Sequence, residues 1–275
     1  MSQNPIERQS VEQKNAKIIV CIKQVPDTQE IRIDPETGTL IREGVPSILN
    51  PFDEYALNLA IEIRDRFMED SEIVALSMGP SQAAEALKKC LAIGADYAVL
   101  LSDRAFAGAD TYATSYTLAK AIKKLGPASL ILCGYEALDG NTAQVGPETA
   151  RLLGLPAICY VERVEALDGG KITCKRESEE GYELLKSPVP ALITCMTTSS
   201  FEPKLPGVRE IMAARRKKLE VWNLEDLGGS KDEYGLRGSL TRVTKTYTPD
   251  IKRKGIRFEG KEGVKELISA LRGII

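Results

Sequence analysis

Residues 128–154 have the sequence ASLILCGYEALDGNTAQVGPETARLLG, in which an apolar run, a polar turn and a second apolar pattern follow one another. The run Ala128–Cys133 predicts a buried strand, and Glu148–Leu153, which ends at Gly154, predicts a helix. A strand, a turn of small polar residues and a helix N-terminus favour phosphate binding. The reason is that unpaired backbone N–H groups and the positive end of the helix dipole face the ligand. An ordinary capped loop is the alternative interpretation.

The same order of strand and helix recurs before this segment. Apolar runs predict strands at residues 17–23, 72–77 and 97–101, and helical spacing predicts helices at 81–93 and 111–125. This alternation implies an α/β fold, a Rossmann-like, mostly parallel sheet of the adenine-nucleotide-binding type with helices on both faces. Ligands of such sheets bind beyond the carboxyl ends of the strands. We therefore expect the site at the turns that follow Cys21, Ser77, Leu101 and Cys133.

Two further segments have clear local signals. The sequence NPFDE at residues 50–54 predicts a helix start, because it places a cap residue, a proline and two acids in order, and this helix extends to Phe67. Residues 31–43 predict a short hairpin around a turn at residues 35–38.

We divide the chain into three parts. Residues 1–16 are polar and predict a flexible N-terminal extension. Residues 17–202 form the α/β nucleotide-binding domain, with shorter strands at 157–164, 171–177, 182–185 and 191–196. Residues 203–275 form a C-terminal extension with helical stretches at 209–219 and 264–271. This arm has too few apolar residues for a core of its own, so we expect it to pack across the main domain or onto a partner.

Composition excludes several classes of function. The net charge is −2 with both signs mixed, and the basic run Arg215–Lys218 lacks interleaved aromatics, so nucleic-acid binding is not expected. No apolar run is long enough for a membrane span, and the polar start lacks a signal-peptide core, which favours a cytoplasmic protein. The absence of histidine excludes Ser-His-Asp and Cys-His catalysis. The six cysteines lack a CxxC pair, so we expect reduced thiols, no metal site, and redox chemistry only from a bound cofactor.

Five segments resemble, in the right order, the motifs of electron transfer flavoprotein beta subunits. They are IVCIKQVPD at 19–27, NPFD at 50–53, MGP at 78–80, DGNTAQVG at 139–146, and RESEEGYE at 176–183 with PALIT at 190–194. The resemblance covers residues 17–275. It implies a heterodimer with an alpha subunit and a nucleotide whose phosphates lie on residues 139–146.

The family has two functional classes. In one, the beta subunit holds AMP as a structural ligand. In the other, it holds FAD, which accepts a hydride from NADH and divides the electrons between a ferredoxin or flavodoxin and the FAD of the alpha subunit. The sequence DRAFAGADT at residues 103–111, followed by Thr114 and Ser115, resembles this second, bifurcating class. FAD is therefore the expected cofactor, AMP the alternative, and an ATP- or AMP-sensing regulatory module the alternative from another class.

The resemblance also implies a set of site residues. The expected cofactor-binding residues are Cys21, Lys23, Asn50, Pro51, Phe52, Asp53, Met78, Gly79, Asp103, Asp110, Thr111, Thr114, Asp139, Gly140, Asn141, Thr142, Ala143, Gln144, Val145 and Gly146. No catalytic side chain and no metal ligand is expected. For Met78 a core position, and for Asp110 a simple helix cap, are the alternatives.

A partner-docking loop is expected at residues 199–206. There Phe201 and Leu205 would be exposed apolar anchors, in a segment stiffened by two prolines, for an acyl-CoA or hydroxy-acid dehydrogenase. The alternative is a turn that packs Phe201 into the chain's own core.

Overall fold

One large β-sheet organises the protein. The computed structural model describes residues 16–27, 32–33, 40–41, 46–198, 201–244 and 255–272. The strands are β1 (Lys17–Ile22), β2 (Gln24–Pro26), β3 (Arg32–Ile33), β4 (Leu40–Ile41), β5 (Ser47–Leu49), β6 (Glu72–Met78), β7 (Tyr97–Leu101), β8 (Leu130–Gly134), β9 (Ala157–Asp168), β10 (Lys171–Ser178), β11 (Gly181–Pro188), β12 (Ala191–Cys195) and β13 (Leu219–Trp222). Among these described strands, nine form the main sheet in the order β11-β10-β9-β12-β8-β1-β6-β7-β13.

Most of this sheet is parallel. Every neighbouring pair from β9 through β12, β8, β1, β6 and β7 to β13 is parallel, while β10 pairs antiparallel with both β9 and β11. Ile18, Ile19 and Val20 at the centre of β1 have no exposed surface. Burial on both faces explains the continuous apolar runs of these strands.

Helices cover both faces of the sheet. They are α1 (Pro51–Phe67), α2 (Ala84–Ile93), α3 (Thr111–Leu125), α4 (Val145–Leu153), α5 (Val208–Ala214), α6 (Leu224–Leu227), α7 (Gly235–Gly238) and α8 (Gly260–Arg272). Leu57 of α1 and Leu87 of α2 belong to the core on one face, and Leu118 of α3 and Ala150 of α4 to the core on the other. The predicted α/β class, with a mostly parallel sheet and helices on both faces, is confirmed.

The start of α1 differs from the expected cap. Pro51 is its first residue, but the Asn50 side chain makes no cap hydrogen bond. The Asn50 amide instead donates to the carbonyl of Glu136 at 2.9 Å. Asn50 therefore connects α1 to the segment after β8 and leaves the cap to the backbone.

The region after residue 203 differs from the prediction in its secondary structure. The helix expected at 209–219 ends at Ala214, and Leu219–Trp222 forms β13, which pairs in parallel with β7. Residues 203–243 belong to the same compact unit as the main sheet, whereas α8 belongs to a second unit. Residues 1–15 of the predicted N-terminal extension lie outside the described residues. No helix in the described ranges combines the length and the apolar content that crossing a membrane requires.

Candidate functional site

A cavity of about 610 Å³ opens at the carboxyl ends of β1, β6 and β8. Most of the predicted site residues line it: Cys21, Lys23, Asn50, Asp53, Met78, Asp110, Thr111, Thr114, Gly140, Asn141, Thr142, Ala143, Gln144, Val145 and Gly146. The structure thus brings together five segments that are far apart in sequence. The volume lies within the range of about 300–1,000 Å³ that is usual for small-molecule sites.

The other five predicted residues do not line this cavity. Phe52 packs edge-on against Tyr135, with ring centroids 4.5 Å apart, and Asp139 forms an ion pair with Lys23 at 2.7 Å. Asp103 accepts from the backbone N–H groups of Ala105 at 2.8 Å and Leu224 at 3.1 Å, which lowers its pKa. Gly79 donates its N–H to the carbonyl of Leu101, and Pro51 begins α1. Of these five residues, Phe52 and Asp139 contact residues that line the cavity, Tyr135 and Lys23.

Asp53 connects two strand ends at the cavity wall. Its carboxylate accepts from the backbone N–H groups of Lys23 and Gly134, each at 2.8 Å, and only 5% of the residue is exposed. Burial raises the pKa of Asp53 to about 7, and the two N–H bonds oppose this rise only in part. A Cβ atom at Gly134 would lie 2.6 Å from Asp53 Oδ1, so this close approach requires glycine.

The segment before α4 is shaped by its backbone. Asn141 and Ala143 adopt left-handed φ angles of 48° and 53°, which are uncommon for residues with a side chain. Asn141, with its amide turned to donate, lies 2.8 Å from the carbonyl of Leu138 and 3.1 Å from that of Ala137. The Asn141 side chain therefore holds the conformation of its own loop at the cavity wall.

Helix α4 starts at Val145, before the predicted Glu148, and has no side-chain cap. Its first N–H groups are consequently available to an anion at the cavity wall, whereas the N–H groups of Gly140 and Asn141 in the loop already donate to the carbonyl of Ala137. Gly146 permits this position, since a Cβ atom there would lie 2.6 Å from Thr194 Cγ2 and 3.0 Å from Cys133 Sγ.

The N-terminus of α3 is capped by a side chain of the protein, that of Asp110. The Asp110 carboxylate accepts from the N–H of Ala113 at 2.9 Å and from the N–H and hydroxyl of Thr241 at 2.8 and 2.9 Å. Desolvation acts to raise the pKa of Asp110, but these hydrogen bonds outweigh it and hold the pKa below its ordinary value. Asp110 thus caps α3, and Thr241 joins the cavity wall.

Sequence reasoning missed three important lining residues. Phe106 and Leu118 add apolar surface, and their spacing in the sequence indicates only core positions. Thr241 lies 131 positions after Asp110, and nothing in its local sequence points to the site.

Cys21 also faces the cavity, where burial raises its pKa to about 12, so its thiol stays protonated at neutral pH.

The expected docking loop is only partly exposed. Phe201 is half-buried and packs edge-on against Tyr55, with ring centroids 4.7 Å apart. This contact corrects the expectation that Phe201 is an exposed anchor. Leu205 is 82% exposed. Residues 199–200 of the predicted loop lie outside the described residues.

Comparisons with known proteins identify one family. Residues 37–227 match the family model described as "Electron transfer flavoprotein domain". The chain is 48% identical to "Electron transfer flavoprotein subunit beta" of Thermoanaerobacterium thermosaccharolyticum, over 92% of this chain and 97% of that protein. It is 46% identical to "Caffeyl-CoA reductase-Etf complex subunit CarD" of Acetobacterium woodii, over 93% and 98%. It is also 42% identical to "Protein FixA" of Bradyrhizobium diazoefficiens, over 92% and 90%.

Proposed function

Because the chain belongs to the electron transfer flavoprotein family and matches its beta subunits over nearly its whole length, we propose that it binds FAD in the cavity as the beta subunit of an electron-transferring heterodimer. One observation carries this proposal. A single cavity joins the uncapped start of α4, which suits phosphate, to small and apolar residues that suit a flat ring.

The phosphate part of the fit rests on a contrast between two helix starts. Asp110 already occupies the start of α3 with its carboxylate, whereas α4 has no side-chain cap. Backbone N–H groups at an open helix start attract phosphate oxygens. Residues 140–146 would therefore hold the phosphates, and Lys23, which is half-exposed beside them, would add positive charge.

The ring part of the fit rests on shape and polarity. Met78, Phe106 and Leu118 line the cavity together with Gly108 and Ala109, which leave space for a planar group. A bound flavin would supply hydride acceptance and single-electron transfer, which no side chain of this protein can provide. The chain's own task would be to bind, orient and shield that group.

We further propose that the complex oxidises NADH and delivers electrons both to a ferredoxin or flavodoxin and to the alpha-subunit FAD. The likeness to CarD, whose name places it in a caffeyl-CoA reductase-Etf complex, supports a role beside a flavin-linked dehydrogenase or reductase. The family match also argues against an ATP- or AMP-sensing regulatory module.

Two exposed surfaces are suited to the proposed partners. Val264, Leu267, Ile268 and Leu271 form an apolar stripe along α8 and are 40–56% exposed. We assign this stripe to the alpha subunit, and the exposed Leu205 to an acyl-CoA or hydroxy-acid dehydrogenase.

The decisive experiment is a nucleotide count on the purified heterodimer. We expect two FAD per heterodimer, together with bleaching of the flavin absorbance by NADH. One FAD and one AMP, without bleaching, would instead establish the AMP-holding electron carrier. A heterodimer without nucleotide in the beta subunit would contradict the proposed site altogether.

A further inference from the structure

A carboxylate behind the cavity wall connects the first turns of α3 and α4. Glu148 Oε1 lies 3.2 Å from the hydroxyl of Thr111, and Glu148 Oε2 lies 3.1 Å from the hydroxyl of Ser115. Thr111 and Gln144 line the cavity, whereas Glu148 and Ser115 do not. Glu148 thus reaches the cavity only through the groups that it touches.

Counting protons shows how the hydroxyl of Thr111 is oriented. This hydroxyl has one proton, and it faces two oxygens at 3.2 Å, Glu148 Oε1 and Gln144 Oε1. Ser115 also has one proton, and its shortest hydrogen bond, at 2.7 Å, goes to the carbonyl of Thr111. A carboxylate oxygen is a stronger acceptor than an amide oxygen, so we place the Thr111 proton toward Glu148 and away from the cavity.

We infer that Glu148 is a positioning residue, which makes the Thr111 oxygen a hydrogen-bond acceptor toward a donor N–H or O–H group of the bound nucleotide. This inference rests on the proposed function, because it requires a nucleotide in this cavity. Glu148 acts only through Thr111 and Ser115 and does not touch the ligand.

A double-mutant cycle tests this assignment in the complete heterodimer. The variants are Glu148→Gln, Thr111→Val and their combination, and the measurement is the dissociation constant of FAD, followed by flavin fluorescence. A glutamine amide oxygen is a weaker acceptor than a carboxylate oxygen, so it holds the Thr111 proton less strongly. Losing one net hydrogen bond should weaken FAD binding about 3- to 10-fold in each single variant. Because Glu148 acts through Thr111, the combined variant should be no weaker than Thr111→Val alone.

Glu85→Gln is the matched control, since Glu85 is also an acid in the first turn of a helix but pairs with Lys88 away from the cavity. We expect it to leave FAD binding unchanged. Losses that add in the combined variant, or tighter binding by Glu148→Gln, would overturn the positioning role. Tighter binding would indicate a simple charge effect on the phosphates. Absence of FAD from the wild-type cavity would instead overturn the proposed function itself.

Discussion

The Asp53 carboxylate accepts a hydrogen bond from the backbone N–H of Gly134 at 2.8 Å, across 81 positions of sequence. The same carboxylate accepts from Lys23, so one buried side chain in the first turn of α1 fixes the ends of β1 and β8. The loops that follow these ends carry Lys23 and residues 140–146. The geometry of the proposed phosphate site therefore depends on a carboxyl group that belongs to a different helix, α1.

Asp53→Asn should change how stability depends on pH. Burial raises the pKa of Asp53 from 3.8 to about 7 in the folded protein. Between these values the native state holds a proton that the unfolded chain has released, so wild-type stability from this group falls as the pH rises. We therefore expect the difference in unfolding free energy, variant minus wild type, to increase from pH 5 to pH 8. Urea unfolding across this range measures it, and parallel pH profiles for the two proteins would refute the raised pKa.

Two substitutions in the phosphate segment should have different effects. The Thr142 hydroxyl has no partner among the described residues, so Thr142→Ala should remove a bond to phosphate and weaken binding about 10- to 150-fold. The side chain of Asn141 contacts the carbonyls of Ala137 and Leu138, and its backbone has a left-handed φ angle. Asn141→Ala should therefore weaken binding more than Asn141→Gly, which removes the same side chain but tolerates the backbone. Equilibrium dialysis of FAD measures both effects. Equal losses in the two Asn141 variants would show that backbone conformation is unimportant there.

Gly146→Ala should destabilise the protein by displacing the start of α4. The new methyl group would lie 2.6 Å from Thr194 Cγ2, and such overpacking destabilises a protein by about 1–3 kcal/mol. Gly140→Ala is the control, because a Cβ atom at Gly140 meets nothing within 4 Å. Urea unfolding should show a loss only for Gly146→Ala. Similar stability of both variants would mean that α4 can shift freely.

Substitutions of the two predicted docking residues, Phe201 and Leu205, should affect different properties of the protein. Phe201→Ala removes an aromatic contact with Tyr55 and should lower stability. Leu205→Ala leaves the core intact and should lower only the rate of electron delivery to the dehydrogenase, measured with a dye-coupled assay. Normal delivery by Leu205→Ala would locate the docking surface elsewhere.

The stripe on α8 should be required for assembly. Ile268→Lys places a charge in this stripe, whereas Glu266→Lys places the same charge on the opposite side of the helix. We expect Ile268→Lys to reduce recovery of the heterodimer in gel filtration and Glu266→Lys to have little effect. For the same reason the chain without its partner should be poorly stable. Normal assembly of Ile268→Lys would remove the stripe from the interface.

Local patterns determined most of the helices and strands from the sequence alone. Tyr97–Leu101 and Thr111–Leu125 have the predicted bounds, because an apolar run and a 3.6-residue period are properties of neighbouring residues. The location of the cavity at the carboxyl ends of the strands also followed from the sequence, since parallel strands bring their following turns to one edge.

Only the tertiary structure decided which partners the side chains take. Asn50 donates a hydrogen bond to Glu136, and Thr241 donates one to Asp110. Phe201 packs against Tyr55. Each of these contacts spans more than 80 positions of sequence. Leu219–Trp222 forms a strand because its backbone pairs with the edge strand that β7 would otherwise be. Hydrogen bonds and apolar contacts form between groups that are near in space, and a local pattern contains no information about which distant residue arrives there.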